Sequence, residues 1–141
     1  MAALWLGSAF FLMLAANAAF KAAPNPTAAA DVVGAMLARW HYIALAGPLL
    51  LFAFELRHAR RFVLVLLFLS VTLAAAQAFV DLRIRQIRAS SPIAISALSP
   101  NDPVRRNFGA LHGVSMSLLV MQAVAAAMVV MAKGARNDVV E

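Results

Sequence analysis

The 141-residue sequence predicts an all-α fold, a four-helix bundle integral to a membrane, and three observations carry that prediction. Four apolar segments, Ala2 to Ala23, Ala38 to Leu56, Phe62 to Val80 and Leu111 to Ala132, take up most of the chain. Each meets or approaches the roughly 20 apolar helical residues needed to cross a hydrocarbon core of about 30 Å. The composition is 64% hydrophobic and 13% charged, against about 45–50% apolar and 25% charged in soluble domains. Finally, the 12 Lys and Arg residues sit almost entirely at segment ends, where lipid headgroups or acidic loops of a partner can meet them. The whole chain, 1–141, reads as one transmembrane domain with spans over about 2–23, 38–56, 62–80 and 105–132. Nothing is left over for a soluble domain.

The first segment ends in Ala16-Asn17-Ala18, a small-residue pattern of the kind cleaved by signal peptidase. A signal peptide carries a positive n-region, and no Lys or Arg precedes Lys21, so the segment reads as a retained transmembrane helix. Pro24-Asn25-Pro26 then closes one helix and opens the next, with Asn25 as the cap and Pro26 at the first helical position. A helical lead-in over 26–38, with Val32, Val33, Met36 and Leu37 at helical spacing, runs into span two. Trp40, His41 and Tyr42 follow it as an interfacial belt, because amphipathic rings prefer the boundary between hydrocarbon and water.

Arg57-His58-Ala59-Arg60-Arg61 is so short that spans two and three must be antiparallel neighbours. Span three continues past Val80 as a charged helical extension over 81–89, in which Asp81 and Arg85 are one turn apart and suited to pair. Arg83, Arg85 and Arg88 in this extension, with Arg57, Arg60 and Arg61 in the turn, belong at the membrane surface beside lipid headgroups or a partner. The longer connection carries Pro92 and Pro100 and ends in Asn101-Asp102-Pro103, a second cap with a first-position proline, followed by Arg105 and Arg106.

Basic residues are divided seven to five between the two sides: Lys21, Arg39, Arg83, Arg85, Arg88, Arg105 and Arg106 against Arg57, Arg60, Arg61, Lys133 and Arg136. The positive-inside rule puts the richer side in the cytoplasm and the termini outside. The expected location is a bacterial inner membrane, with multiple passes through it.

Helices in lipid associate through close backbone contact, so small residues repeated every four positions mark a contact face. Gly109, Gly113 and Ser117 form such a ridge on span four, continuing as Met121 and Ala125, and the reading favoured here is contact within the bundle. Polar residues within the spans form a second set. His112, Ser115 and Gln122 share a stripe with Leu119 on span four, Asn17 lies in span one and Gln77 in span three. Each is costly in hydrocarbon unless it faces the bundle or a partner.

His41 and His112 begin alternate spans and so occupy the same leaflet, where a shared ligand such as haem, a metal or a chlorophyll-type pigment is geometrically open. The plainer reading gives each histidine a local hydrogen bond, and no cofactor is expected. The methionines of span four lack a second Met-rich helix to complete a copper site and read as packing or lipid-facing groups. With no cysteine, there are no disulfides, thiolate metal sites or thiol chemistry. Glu55 and Asp81 both fall at span ends, which leaves no acid inside the bilayer for proton transfer. No nucleophile with a base and no phosphate-cradling loop is evident, so the chain reads as non-catalytic, and nucleic acid is not an expected partner.

Trp5-x-Gly7 with Ala16 to Phe20, Arg39-Trp40-His41, Arg83-Ile84 with Arg88, and Phe108-x-x-Leu111-His112-x-x-Ser115 together resemble the small four-span membrane proteins catalogued as a domain of unknown function. Asn17 stands where that pattern has Pro, and Leu119 where it has a polar Asn. The resemblance implies a four-span fold and a membrane location, and it supplies no activity.

The sequence thus favours a non-catalytic accessory subunit packed against a larger membrane complex of respiratory or photosynthetic type. The alternative is a small transporter or a haem-, metal- or pigment-binding protein using His41 and His112, with Ser115, Gln122, Asn17 and Gln77 completing a polar interior.

Overall fold

A computed structural model describes residues 2–56 and 61–137, with side chains described as far as residue 132 of the last helix. Among the described residues there are four α-helices, one short 3-10 turn and no strand. Helix α1 is Ala2–Ala22, α2 is Pro26–Glu55, α3 is Arg61–Ser90 and α4 is Pro103–Asn137. Arg57, His58 and Arg60, and the side chains of Lys133 and Arg136, lie outside the described residues.

The helix starts follow from local chemistry. Asn25 has extended backbone and its Oδ1 accepts from the Ala28 amide at 2.9 Å, while Pro26 supplies a first turn that needs no donor. Asp102 does the same for α4, accepting from the Val104 amide at 2.8 Å just before Pro103. The lead-in over 26–38 and span two are one continuous helix of 30 residues, and α3 is likewise continuous from span to charged end. At 1.5 Å per residue such helices are about 45 Å long, so they overrun a hydrocarbon core of about 30 Å.

All four helices are long and apolar enough to cross a membrane, and the chain is a multi-pass membrane protein. Their outer faces present large apolar side chains such as Phe11, Leu14, Phe54 and Phe68 to lipid. Each helix packs on two neighbours, α1 on α2 and α4, α3 on α2 and α4, which closes the bundle into a ring.

Two apolar layers fill one end and the middle. The end layer joins Ala2 and Trp5 of α1, Leu51 of α2, Val63, Leu66 and Leu67 of α3, and Ala126 and Val129 of α4. The middle layer joins Ala9 and Leu12, Trp40 and Ala44, Ala74, and Leu119. Gly47 lets α1 come close at the end layer, since a Cβ at that position would stand 3.2 Å from Cγ and Cδ1 of the Trp5 indole.

Trp40 departs from the interfacial belt expected of it. It is 5% exposed, and its Nε1 donates to Ser8 Oγ on α1 at 3.2 Å while Ser8 Oγ donates to the Trp5 carbonyl at 2.7 Å. The indole N–H thus has a partner inside the bundle and needs no water. Tyr42, two residues on, is 76% exposed on the outer face.

The Gly109-Gly113-Ser117 ridge also departs from expectation. All three are exposed, and a Cβ built on either glycine meets nothing within 4 Å among the described residues, so no other helix of the chain lies close against the two glycines. Ala125, by contrast, is buried. A step of four residues overshoots a helical turn by about 40°, so four such steps from Gly109 to Ala125 rotate the line by about 160°. One sequence ridge therefore begins on the outside and ends on the inside.

Candidate functional site

Beyond the middle layer, towards the end that carries the connections 23–25 and 91–102, the bundle interior turns polar. Three helices meet at one carboxylate. Asp81 on α3 accepts from Ser115 Oγ of α4 at 2.6 Å through Oδ1, and its Oδ2 lies 3.2 Å from Nε2 of His41 on α2. One turn deeper, Gln122 Nε2 of α4 donates to Gln77 Oε1 of α3 at 2.5 Å. All five residues are buried, at 7% exposure or less.

The helical repeat explains why they converge. Ser70, Ala74, Gln77 and Asp81 fall at intervals of four, three and four along α3, one inward stripe. Ser115, Leu119 and Gln122 form the matching stripe on α4. His41 follows Trp40 on α2 and precedes Ala44, which is also buried. Charge does not bring Asp81 here; the side of α3 on which residue 81 falls does.

Hydrogen-bonding capacity is left over in this cluster. His41 Nε2 and Asp81 Oδ2 are close enough to attract but out of line for a hydrogen bond, and Gln77 Nε2 and Gln122 Oε1 have no partner among the described residues. Each unsatisfied buried group costs about 1–3 kcal/mol. A water or a polar ligand supplying the missing partners would recover that cost.

Space for one is present. His41, Gln77, Asp81 and Ser115 line a chamber of about 130 Å³ whose remaining walls include Leu37, Ile84, Phe108 and Leu119. That volume holds several waters. Arg85, Arg88, Ala30 and Phe108 border both the chamber and an outer vestibule of about 810 Å³, which opens among Pro26, Asp31, Ile93 and Arg105. Arg88 is tied to Asp31 at 2.5 Å, and Arg105 donates to the Leu98 carbonyl at 2.6 Å, holding the 91–102 connection against α4. Towards the other end the interior is packed by the two apolar layers.

The residues singled out from sequence divide accordingly. His41, Gln77, Ser115 and Gln122 come together. His112 lines the chamber wall but is exposed, with its ring stacked on Phe108 at 6.3 Å and 2° between planes. Asn17 does not join the polar interior. The inward face of α1 is Ala2, Trp5, Ala9 and Leu12, and Asn17, five residues past Leu12, is turned about 140° away and exposed. Among the arginines, Arg83 sits over the Phe79 ring at 5.4 Å, and Arg61, Arg85 and Arg106 are exposed.

Asp81 is the residue that sequence reasoning misplaced. Its expected pairing with Arg85 is not formed; the carboxylate turns inward to His41 and Ser115. An acid therefore does lie inside the bundle. The signal was the four-three-four spacing from Ser70, which outranks the neighbouring Arg83 and Arg85 as a guide to which side Asp81 faces.

Serine, aspartate and histidine in contact do not make a nucleophilic triad here. In that arrangement the serine hydroxyl bonds to the imidazole and the carboxylate orients the imidazole from behind. In this bundle the hydroxyl donates to the carboxylate. A macrocycle shared by His41 and His112 does not fit either, since the chamber between them is about 130 Å³ and His41 Nε2 faces Asp81, whereas pockets for drug-sized ligands run to about 300–1,000 Å³. Among the described residues no group of three or more His, Cys, Asp or Glu is arranged to hold a metal ion.

No family model matches the chain, and neither the curated proteins nor the solved structures contain a match.

Proposed function

We propose that this chain is a small non-catalytic transporter of the bacterial inner-membrane type, in which His41 and Asp81 exchange protons with the side of the membrane bearing the 91–102 connection. The observation that carries this reading is a carboxylate and an imidazole 3.2 Å apart within the bundle, on the wall of a chamber that borders an open vestibule. Ionisable groups inside a membrane bundle are costly and are characteristic of proton and ion pathways. Ser115 steadies one carboxylate oxygen and leaves the other towards His41. Water in the chamber would link the pair to the vestibule. Passage to the far side requires the layer of Trp40, Ala44, Ala74 and Leu119 to part. By the positive-inside count, the open side is cytoplasmic.

The test is proton flux into liposomes that hold the purified protein and an entrapped pH-sensitive dye, driven by a potassium gradient with valinomycin. The wild type acidifies or alkalinises the lumen faster than protein-free liposomes, and Asp81→Asn and His41→Gln abolish the difference. Wild-type flux equal to that of empty liposomes, or undiminished flux in Asp81→Asn, refutes the proposal.

A second reading, an accessory subunit of a larger respiratory or photosynthetic complex, is favoured by the exposed Gly109-Gly113-Ser117 ridge. Small residues on an outer helix face allow another helix to approach closely. Purification in mild detergent tests it. Stoichiometric partner subunits support it, and recovery of the chain alone counts against it.

A further inference from the structure

A groove on the lipid-facing side of the bundle, between α2 and α3, has a different chemistry from the chamber. It encloses about 530 Å³ and is lined on α2 by Ala35, Ala38, Arg39, His41, Tyr42 and Leu45, and on α3 by Ala78, Leu82 and Arg85. The alanines at 35, 38 and 78 are what hollow it out, since longer side chains there would fill the space between the helices. Arg39 and Arg85 are both exposed.

Neither arginine meets a carboxylate among the described residues. Asp31 is engaged by Arg88, Asp81 is turned inward to His41 and Ser115, and Asp102 caps the start of α4. Two guanidinium groups thus share a groove whose lining contains no acid and whose remaining walls are largely apolar. A guanidinium is weakly hydrated, stays charged and grips phosphate oxygens in a two-pronged geometry. Alanine and leucine beside it suit an acyl chain. Tyr42, exposed on the same face, is a residue that favours the headgroup boundary.

We infer that the α2/α3 groove is a binding site for one anionic phospholipid, its phosphate held by Arg39 and Arg85 and an acyl chain lying along Ala38, Leu45 and Ala78. The groove opens on a different side of α2 and α3 from the chamber, and Ala38, His41 and Arg85 border both spaces.

The test uses the full chain in detergent, with thermal unfolding followed as phosphatidylglycerol, phosphatidylcholine or inorganic phosphate is added, and native mass spectrometry to count retained lipid. Phosphatidylglycerol raises the melting temperature and is retained at one molecule per chain, while phosphatidylcholine and inorganic phosphate give neither effect. The double variant Arg39→Gln/Arg85→Gln loses both. Arg83→Gln, which removes one charge from the same helix at the position stacked on Phe79, keeps both. Equal stabilisation by phosphatidylcholine overturns the inference, as does stabilisation by inorganic phosphate alone or equal loss in Arg83→Gln. Should the double variant unfold without lipid, Arg39→Lys/Arg85→Lys replaces it. That pair keeps the charge but not the forked geometry, and undiminished selectivity for phosphatidylglycerol in it refutes the bidentate grip.

Discussion

His41 on α2 and Asp81 on α3 face each other at 3.2 Å inside the bundle, with Ser115 of α4 donating to the other oxygen of the same carboxylate. The relationship joins three helices at one point. Both residues are buried, so their partners must come from the bundle or from the chamber beside them.

The pair is expected to be energetically coupled. His41→Gln and Asp81→Asn each remove one side of the contact, and a double-mutant cycle should return an interaction of about 0.5–3 kcal/mol. Unfolding in mixed micelles by titration with a denaturing detergent measures it. A coupling near zero would show that the two side chains are neighbours without being partners.

The amide pair behaves differently because both members are neutral. Gln77→Leu alone strands the Gln122 amide, and Gln122→Leu alone strands that of Gln77, each at a cost of about 1–2 kcal/mol. Changing both to Leu removes the unsatisfied groups together and should restore most of the loss. If the double variant is instead as unstable as the sum of the single ones, the two amides are held by something other than each other.

Gly47 is expected to resist enlargement. A Cβ there comes within 3.2 Å of the Trp5 ring and 3.5 Å of its Cβ, and Trp5 is 3% exposed within the end layer, so the ring has little room to move aside. Gly47→Ala should destabilise by about 1–3 kcal/mol, the usual cost of overpacking. An unchanged unfolding midpoint would mean that α1 shifts outward at no cost.

The apolar runs, the Asn25-Pro26 and Asp102-Pro103 starts and the shared inward stripe of Ser115 and Gln122 were legible because each is written within a few consecutive turns of one helix. What was not legible depends on a second helix. Trp40 looked interfacial because its partner, Ser8, is 32 residues away on α1. Asp81 looked like part of a surface charge cluster because Arg83 and Arg85 lie next to it in sequence, while His41 and Ser115, which determine its environment, lie on other helices. Asn17 looked interior because polar residues in a span are expected to turn inward, but α1 already spends its inward face on Ala2, Trp5, Ala9 and Leu12.

The glycines of α4 offer the contrast to Gly47 and separate folding from assembly. Gly109 and Gly113 have open space where a Cβ would stand, so Gly109→Ala and Gly113→Ala meet no clash within the chain. Alanine is the better helix former by about 0.8–1.0 kcal/mol, so each variant should unfold no more easily than the wild type, and slightly less easily if helix propensity is expressed in the bundle. A helix from another subunit lying against the ridge would meet the new methyl groups directly, since close backbone approach is what small residues at every fourth position permit. Unfolding midpoints and the amount of co-purifying subunit therefore move apart if the ridge is an interface: stability held or raised, partner lost. Full retention of a partner in both variants would place that contact elsewhere on the bundle, and a fall in stability without any partner would show that the ridge packs within the chain after all.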